Sequence, residues 1–188
     1  MQYNGRSRAA GKSVSHMNRG AILEKLLDMT HVQYKNKGVA DIKKIPTPVK
    51  ILRIIGNKVD GHLEAGEFTD YMGMSQGRTL LFDAKETKEK RLPLKNIHAH
   101  QYELLESWTK HGAVAFLIVA FTSKNDEIYL LSFEQLQEFW EASKLPKGRQ
   151  SIPQAFFVEN CPKITSEKGI VLHYLKHVEE AVEWQPMT

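Results

Sequence analysis

Asp70-Tyr71-Met72-Gly73-Met74-Ser75-Gln76-Gly77-Arg78-Thr79-Leu80-Leu81-Phe82-Asp83-Ala84-Lys85 is the stretch on which the reading of this chain turns. Asp70 to Ser75 and Arg78 to Glu86 read as two short strands joined by a turn at Gln76-Gly77. The first opens on a carboxylate. The second carries Asp83 and Lys85 two residues apart, so their side chains leave one face of the strand while Ala84 leaves the other. Two acids and a cation converging on one face form the donor set that metal-assisted cleavage of a phosphodiester requires. The acids offer oxygen ligands to a hard divalent ion that activates water, and the ammonium offsets charge growing on the phosphate.

Each of these residues also has a plainer reading. Asp70, just before Gly73, is a common kind of turn aspartate. Asp83 is harder to dismiss, because Leu80, Leu81, Phe82 and Ala84 place it inside an apolar strand where an unpaired carboxylate is costly. It needs a partner, either Lys85 as a structural ion pair or a metal. Further along, Ile97, Leu104, Leu105 and Trp108 form one apolar helix face, and Gln101 lies on that stripe. An amide pointing toward a sheet needs hydrogen bonds or a metal, so Gln101 is either bonded to sheet-edge backbone or a further oxygen ligand. Glu24, on the first helix, is either another acid near the site or a solvated glutamate beside Lys25. His98 and His100 stand two apart on the expected helix and point to opposite sides. With no cysteine pair in the chain, a zinc site is not expected, and surface or phosphate-contacting histidines remain. Tyr102, Trp108, Phe139 and Trp140 recur at helical spacings and read as core. No Gly-rich phosphate loop, Ser-His-Asp arrangement or dinucleotide fingerprint is present.

The bulk properties set wide limits. The chain has 188 residues, 41% of them hydrophobic, which suits one compact domain with room for an arm or insertion. A net charge of +4 favours an anionic partner without identifying one. The single Cys161 excludes an intrachain disulfide framework and fits a reducing compartment, so a cytoplasmic location is expected. The longest apolar run, Ala113 to Phe121, is short and β-branched and reads as a central buried strand, not a membrane span.

Residues 1–18 contain Arg6, Arg8 and Lys12 with no acid, the composition of a flexible basic arm that contacts phosphates. Residues 19–188 read as one folded domain. A helix follows Asn18-Arg19-Gly20 and stops at Lys35-Asn36-Lys37-Gly38. Strands over Val39–Ile45 and Val49–Ile55 flank a bend at Pro46-Thr47-Pro48. Gly56-Asn57 and Asp60-Gly61 read as turns, and residues 46–68 as a hairpin-like insertion. Residues 86–95 read as a charged loop carrying Lys88, Lys90, Arg91 and Lys95, which with Arg78 are candidate phosphate contacts. A helix is expected from an N-cap at Asn96 to Lys110, then strands over 113–122 and 128–131, a helix capped by Ser132, and a last helix over 169–184. This order implies a mixed α/β core, a sheet flanked by helices.

Several of these segments, taken in order, resemble one family. They are Asn18-Arg19-Gly20, Pro46-Thr47-Pro48-Val49, Thr69-Asp70-Tyr71-Met72-Gly73, Gly77-Arg78, the run from Phe82 to Lys88, and the run from Leu92 to Gln101. The resemblance is to the RecU-type Holliday junction resolvases of the PD-(D/E)xK nuclease superfamily, and it covers about residues 18 to 105. It implies an α+β, restriction-endonuclease-like fold with a central mixed sheet flanked by helices and a stalk near residues 46–68. It also implies a Mg²⁺-dependent homodimer, with Mn²⁺ as an alternative ion, that cuts opposed strands of a four-way DNA junction in recombination and repair, alongside a recombinase partner. By position, Asp70 and Asp83 would bind the metal, Gln101 would add a ligand, and Lys85 would stabilise the transition state. The arm with Arg6, Arg8 and Lys12 would assist junction binding, and Arg19, just after it, would also contact DNA. Two positions depart from the pattern. The family usually has glutamate where Asp83 stands, and a ligating threonine aligns with Phe68, beside Thr69. Those departures keep two alternatives in view: a junction-binding accessory protein with a weakened site, and a sequence-specific duplex endonuclease.

Overall fold

The computed structural model describes residues 21–64, 68–123 and 126–181. Arg6, Arg8, Lys12 and Arg19 lie outside the described residues, as does the end of the last expected helix. Helix α1 (Ala21–Asn36) leads into strand β1 (Ala40–Lys44) and then into a hairpin of β2 (Val49–Ile55) and β3 (Lys58–Leu63). Strands β4 (Tyr71–Ser75) and β5 (Arg78–Thr87) follow, then a short β6 (Arg91–Pro93) and a single 3-10 turn before helix α2 (Ala99–Lys110). Strands β7 (Val114–Phe121) and β8 (Glu127–Ser132), helix α3 (Phe133–Ser143), strand β9 (Ser151–Pro153), and helices α4 (Gln154–Asn160) and α5 (Leu175–Ala181) complete the fold.

Five strands form one mixed sheet in the order β1-β4-β5-β7-β8, with β5 and β7 parallel and the other pairs antiparallel. Both faces are covered, so β7 reads as one apolar run whose alternate residues feed different cores. Phe116, Ile118 and Ala120 meet Leu23, Leu27 and Tyr34 of α1, together with Ile170, Leu172 and Tyr174. Leu117, Val119 and Phe121 meet Leu105 of α2, Leu136 of α3 and Phe157 of α4. This is the mixed sheet between helices that the element order implies.

The β2–β3 hairpin is a separate two-stranded sheet, and every residue of both strands is exposed. It leaves the body between Lys44 and Tyr71, which pair in the main sheet, and its base is tied by the Glu64 N–H donating to the Pro48 carbonyl at 3.0 Å. Its turn is at Gly56-Asn57. Asp60-Gly61, expected as a second turn, runs instead inside β3 opposite the register shift between Ile51 and Arg53.

Three other expectations fail for tertiary reasons. The charged segment 86–95 is not all loop, because β6 pairs with β9 and Arg91 faces Pro153 in that ladder. Helix α2 is capped by His98 in an extended conformation, not by Asn96, which ends the 3-10 turn. Helix α5 begins at Leu175, not Gly169. Lys168 and Gly169 adopt positive φ in a turn bridged by Glu167 and Ile170. The N–H groups of Val171 and Leu172 then donate to Gln33 Oε1 and Thr30 Oγ1 on α1, at 2.9 and 3.0 Å. Side chains of α1 thus pin this segment in an irregular path across α1 before α5 begins.

His31 sits under this strap, 7% exposed, with Nε2 3.0 Å from the Tyr174 hydroxyl. Burial lowers its pKa from 6.5 to about 4. The unfolded chain therefore takes up a proton over a range where the fold keeps His31 neutral. The stability this neutral ring contributes is complete above pH 6.5 and is lost as pH falls toward 4, a loss of about 3 kcal/mol. Thermal unfolding across that range should show a falling midpoint. His31→Gln, which keeps an acceptor for Tyr174, should show a shallower decline. An equally steep decline in the variant would place the acid sensitivity elsewhere.

Candidate active site

The β4–β5 hairpin brings the two acids together. Gln76 and Gly77 both have positive φ, 47° and 79°, the geometry of a two-residue turn whose twist matches the strands it joins. Glycine adopts that conformation at little steric cost. The turn pairs Ser75 with Arg78, and the ladder continues to Tyr71 opposite Phe82. One step further, Asp70 meets Asp83. Gly73 is required for a different reason: a Cβ there would come within 2.5 Å of the Asp41 carbonyl oxygen on β1.

The hydrogen bonds at the acids are reciprocal. The Asp70 N–H donates to Asp83 Oδ1 at 2.7 Å, and the Ala84 N–H donates to Asp70 Oδ2 at 3.1 Å. Asp83 is fully buried, and its Oδ2 accepts no hydrogen bond. The Lys85 ammonium lies 3.2 Å from that oxygen, within ion-pair range, but directs its hydrogen bond to Gln101 Oε1 at 3.0 Å. Asp83 Oδ2 therefore has a charge beside it and no donor aimed at it. Burial, and next the charge of Asp83, raise the Asp70 pKa above the usual carboxylate range. Two carboxylates pressed together, one of them fully buried, are the arrangement that a bound cation relieves.

Gln101 is buried, as the apolar stripe predicts, but its partners are not sheet-edge backbone. Its Oε1 accepts from Lys85 and from the His98 N–H at 3.2 Å, which caps helix α2. Both lone pairs of that oxygen are thus engaged. His98 precedes the helix, so His98 and His100 do not diverge as helical spacing predicts. Their rings stack with centroids 5.5 Å apart and 6° between planes. Asp70, Gln101 and both histidines line one cleft of about 790 Å³, with Thr69 and Phe68. The Thr69 hydroxyl donates to the Tyr71 carbonyl at 3.1 Å.

Glu24 is paired with Lys44 on β1 at 2.8 Å, and its charge adds to the upward pressure on the Asp70 pKa. It therefore stands near the site as one half of an ion pair. Of the expected phosphate contacts among the described residues, His98 and His100 line the cleft that holds Asp70, and Arg78, Lys88, Lys90, Arg91 and Lys95 do not. Arg78 opens β5, five residues from Asp83 and so roughly 17 Å along the strand. Lys88, Lys90, Arg91 and Lys95 are exposed beyond the other end of β5. Arg91 is bound to Glu89 at 2.7 Å, and with Lys95 it shares a shallow cleft with Arg149. Arg149 carries no signal in the sequence for this position, since only the β6–β9 pairing brings it there. Cys161 is buried, which pushes its thiol pKa up to about 12 and argues against a nucleophilic role. Among the described residues, no cluster of three or more His, Cys, Asp or Glu side chains is arranged to hold a metal, so any ion here would rest on the Asp70–Asp83 pair.

Comparison with known proteins gives a consistent answer. The family model for recombination protein U matches residues 18–180. The Holliday junction resolvase RecU of Geobacillus sp. strain WCH70 is 40% identical over 144 residues, 73% of this chain and 71% of the relative. The RecU protein of Levilactobacillus brevis is 33% identical over 181 residues, 93% of this chain and 89% of the relative. That of Geobacillus kaustophilus is 37% identical over 162 residues, 81% and 80% of the two chains. A match of that length, reached from the first helix to the last and spanning the hairpin that carries Asp70 and Asp83, places the chain in the RecU family.

Proposed function

We propose that this chain resolves four-way DNA junctions by metal-assisted hydrolysis of phosphodiester bonds, with its chemistry at Asp70, Asp83 and Lys85. The observation that carries the reading is the buried Oδ2 of Asp83, a carboxylate oxygen without a donor, held beside a second carboxylate whose pKa is raised by burial and next by the charge of Asp83. Such a pair suits a hard divalent cation, Mg²⁺ or Mn²⁺, with Asp70 and Asp83 as its protein ligands. Bound there, the ion supplies a water activated for attack and a positive charge against the phosphate.

The chain's own residues do the rest. Asp83 accepts the Asp70 N–H and so fixes the two carboxylates relative to each other. Lys85, its side chain 13% exposed, presents its ammonium from the same strand face to offset charge on the scissile phosphate. Gln101 enters as the residue that holds Lys85 in place, since a ligand role would require its oxygen to give up a donor it already has. Lys88, Lys90, Arg91, Lys95 and Arg149 form an exposed basic surface past the end of β5, suited to phosphates of the junction arms. Two opposed strands require two such centres, and a two-fold homodimer provides them. No helix among the described residues is long and apolar enough to cross a membrane.

A synthetic four-way junction and a linear duplex of the same sequence, incubated with Mg²⁺, Mn²⁺ or chelator, test this directly. Paired symmetric nicks in the junction alone, lost on chelation, are expected. Lys85→Ala should slow cleavage about 10²- to 10³-fold, as removal of one charge-stabilising group typically does. Its junction affinity in Ca²⁺ should hold. Cutting of the linear duplex at a defined sequence would replace the junction reading with that of a duplex endonuclease. Junction binding with no cleavage under either metal would favour an accessory protein.

A further inference from the structure

The cleft beside the two acids has walls unlike those of a phosphate groove. Among the described residues that line it, the charged groups are the carboxylates of Asp70 and Glu64, and none is a lysine or arginine. Away from the acid pair and the Lys85 ammonium behind Gln101, this lining holds no positive side chain among the described residues to attract a DNA backbone. What it offers instead is flat rings. Phe68 is a large apolar side chain left 45% exposed, two residues before Asp70. Its position is fixed from behind, where it stands edge-on to Trp108 of α2 with centroids 6.5 Å apart and 81° between planes. On the same cleft, His98 and His100 present their stacked imidazoles. The volume, about 790 Å³, lies inside the roughly 300–1,000 Å³ range of clefts that take small organic groups.

We propose that this cleft takes an unstacked nucleobase of the DNA strand being cut, with Phe68 as the surface on which it stacks. The inference rests on the reading of the chain as a junction nuclease. A junction's branch point is where bases leave their stack most cheaply, and a base has no charge for Glu64 and Asp70 to repel. Stacking on an aromatic ring tolerates any of the four bases, because every base has a π-face. Phe68 would therefore add affinity for branched DNA over duplex, where no base is free to enter. It acts on binding and register and carries no part of the bond-breaking step.

The test is a double-mutant cycle between protein and DNA. Junctions carry a single abasic site at each position flanking the scissile phosphate, and binding is read by anisotropy in Ca²⁺, independent of cleavage. The proteins are wild type, Phe68→Leu and Phe68→Tyr. At one position, the abasic site is expected to weaken wild-type binding about tenfold, as loss of one base–aromatic stack does. Phe68→Leu should weaken binding to the intact junction by a similar factor and be insensitive to that abasic site, while Phe68→Tyr should behave as wild type. Wild-type affinity in Phe68→Leu, or additive losses at every position, would overturn the stacking subsite and leave the junction nuclease standing. A wild-type protein that neither binds nor cuts junctions would overturn both.

Discussion

Asp83→Asn abolishes cleavage, with an expected loss of about 10³-fold or more, while the fold and junction binding persist. The size follows from what the one charge does. A carboxylate ligand underlies several kcal/mol of charge stabilisation by a bound ion, and each ~1.4 kcal/mol is tenfold in rate. The fold persists because asparagine has the same shape and keeps an oxygen for the Asp70 N–H, now bonded at 2.7 Å. The amide leaves Lys85 without its ion-pair partner, but Gln101 still holds the ammonium. A gel assay of junction cleavage, paired with anisotropy binding in Ca²⁺ and a thermal melt, separates these effects. Cleavage within tenfold of wild type would remove Asp83 from the chemistry. A collapsed melt would show that the charge matters to folding instead.

The second large effect is on stability. Tyr174→Ala should cost about 3–5 kcal/mol, the range for deleting a buried aromatic ring. Tyr174 has no exposed surface, and its ring centroid lies 5.3 Å from Tyr34, 5.4 Å from Phe82 and 5.8 Å from Phe116. It is the point at which the strap before α5 closes over the face of the sheet that α1 covers. Phe82 is the residue before Asp83, so loosening this packing also loosens the strand that carries the acid. Urea unfolding measures the loss. Tyr174→Phe keeps the ring and removes only the contact to His31, and should cost about 1–3 kcal/mol. A change below 1 kcal/mol for the alanine variant would mean that the strap is not part of the cooperative unit.

The site was legible where chemistry was local. The Asp-x-Lys spacing on an apolar strand announces a carboxylate in need of a partner, and the Lys85 ammonium lies 3.2 Å from it. Glu24 could not be settled from its helix alone, because Lys44, its ion-pair partner, comes from another element. Helical spacing sends His98 and His100 to opposite sides, but the structure keeps His98 extended as a cap, so the two rings stack instead. Nearness in sequence to Asp83 does not mean nearness in space, because a strand carries its residues away at roughly 3.3 Å each, so Arg78 ends far from the acids.

The sequence by itself determined the acid pair. A two-residue turn at Gln76-Gly77 fixes the register of its own hairpin, and the two-residue period of strands fixes which side chains share a face. Together they set Asp70 against Asp83 and Lys85 beside it without reference to the rest of the chain. Only the tertiary structure decided what surrounds that pair. Gln101 reaches Lys85, Phe68 meets Trp108, Arg149 joins Arg91 and the strap over α1 displaces the start of α5. Each of these contacts joins segments separated along the chain, and its geometry depends on how helices and strands pack once both faces of the sheet are buried.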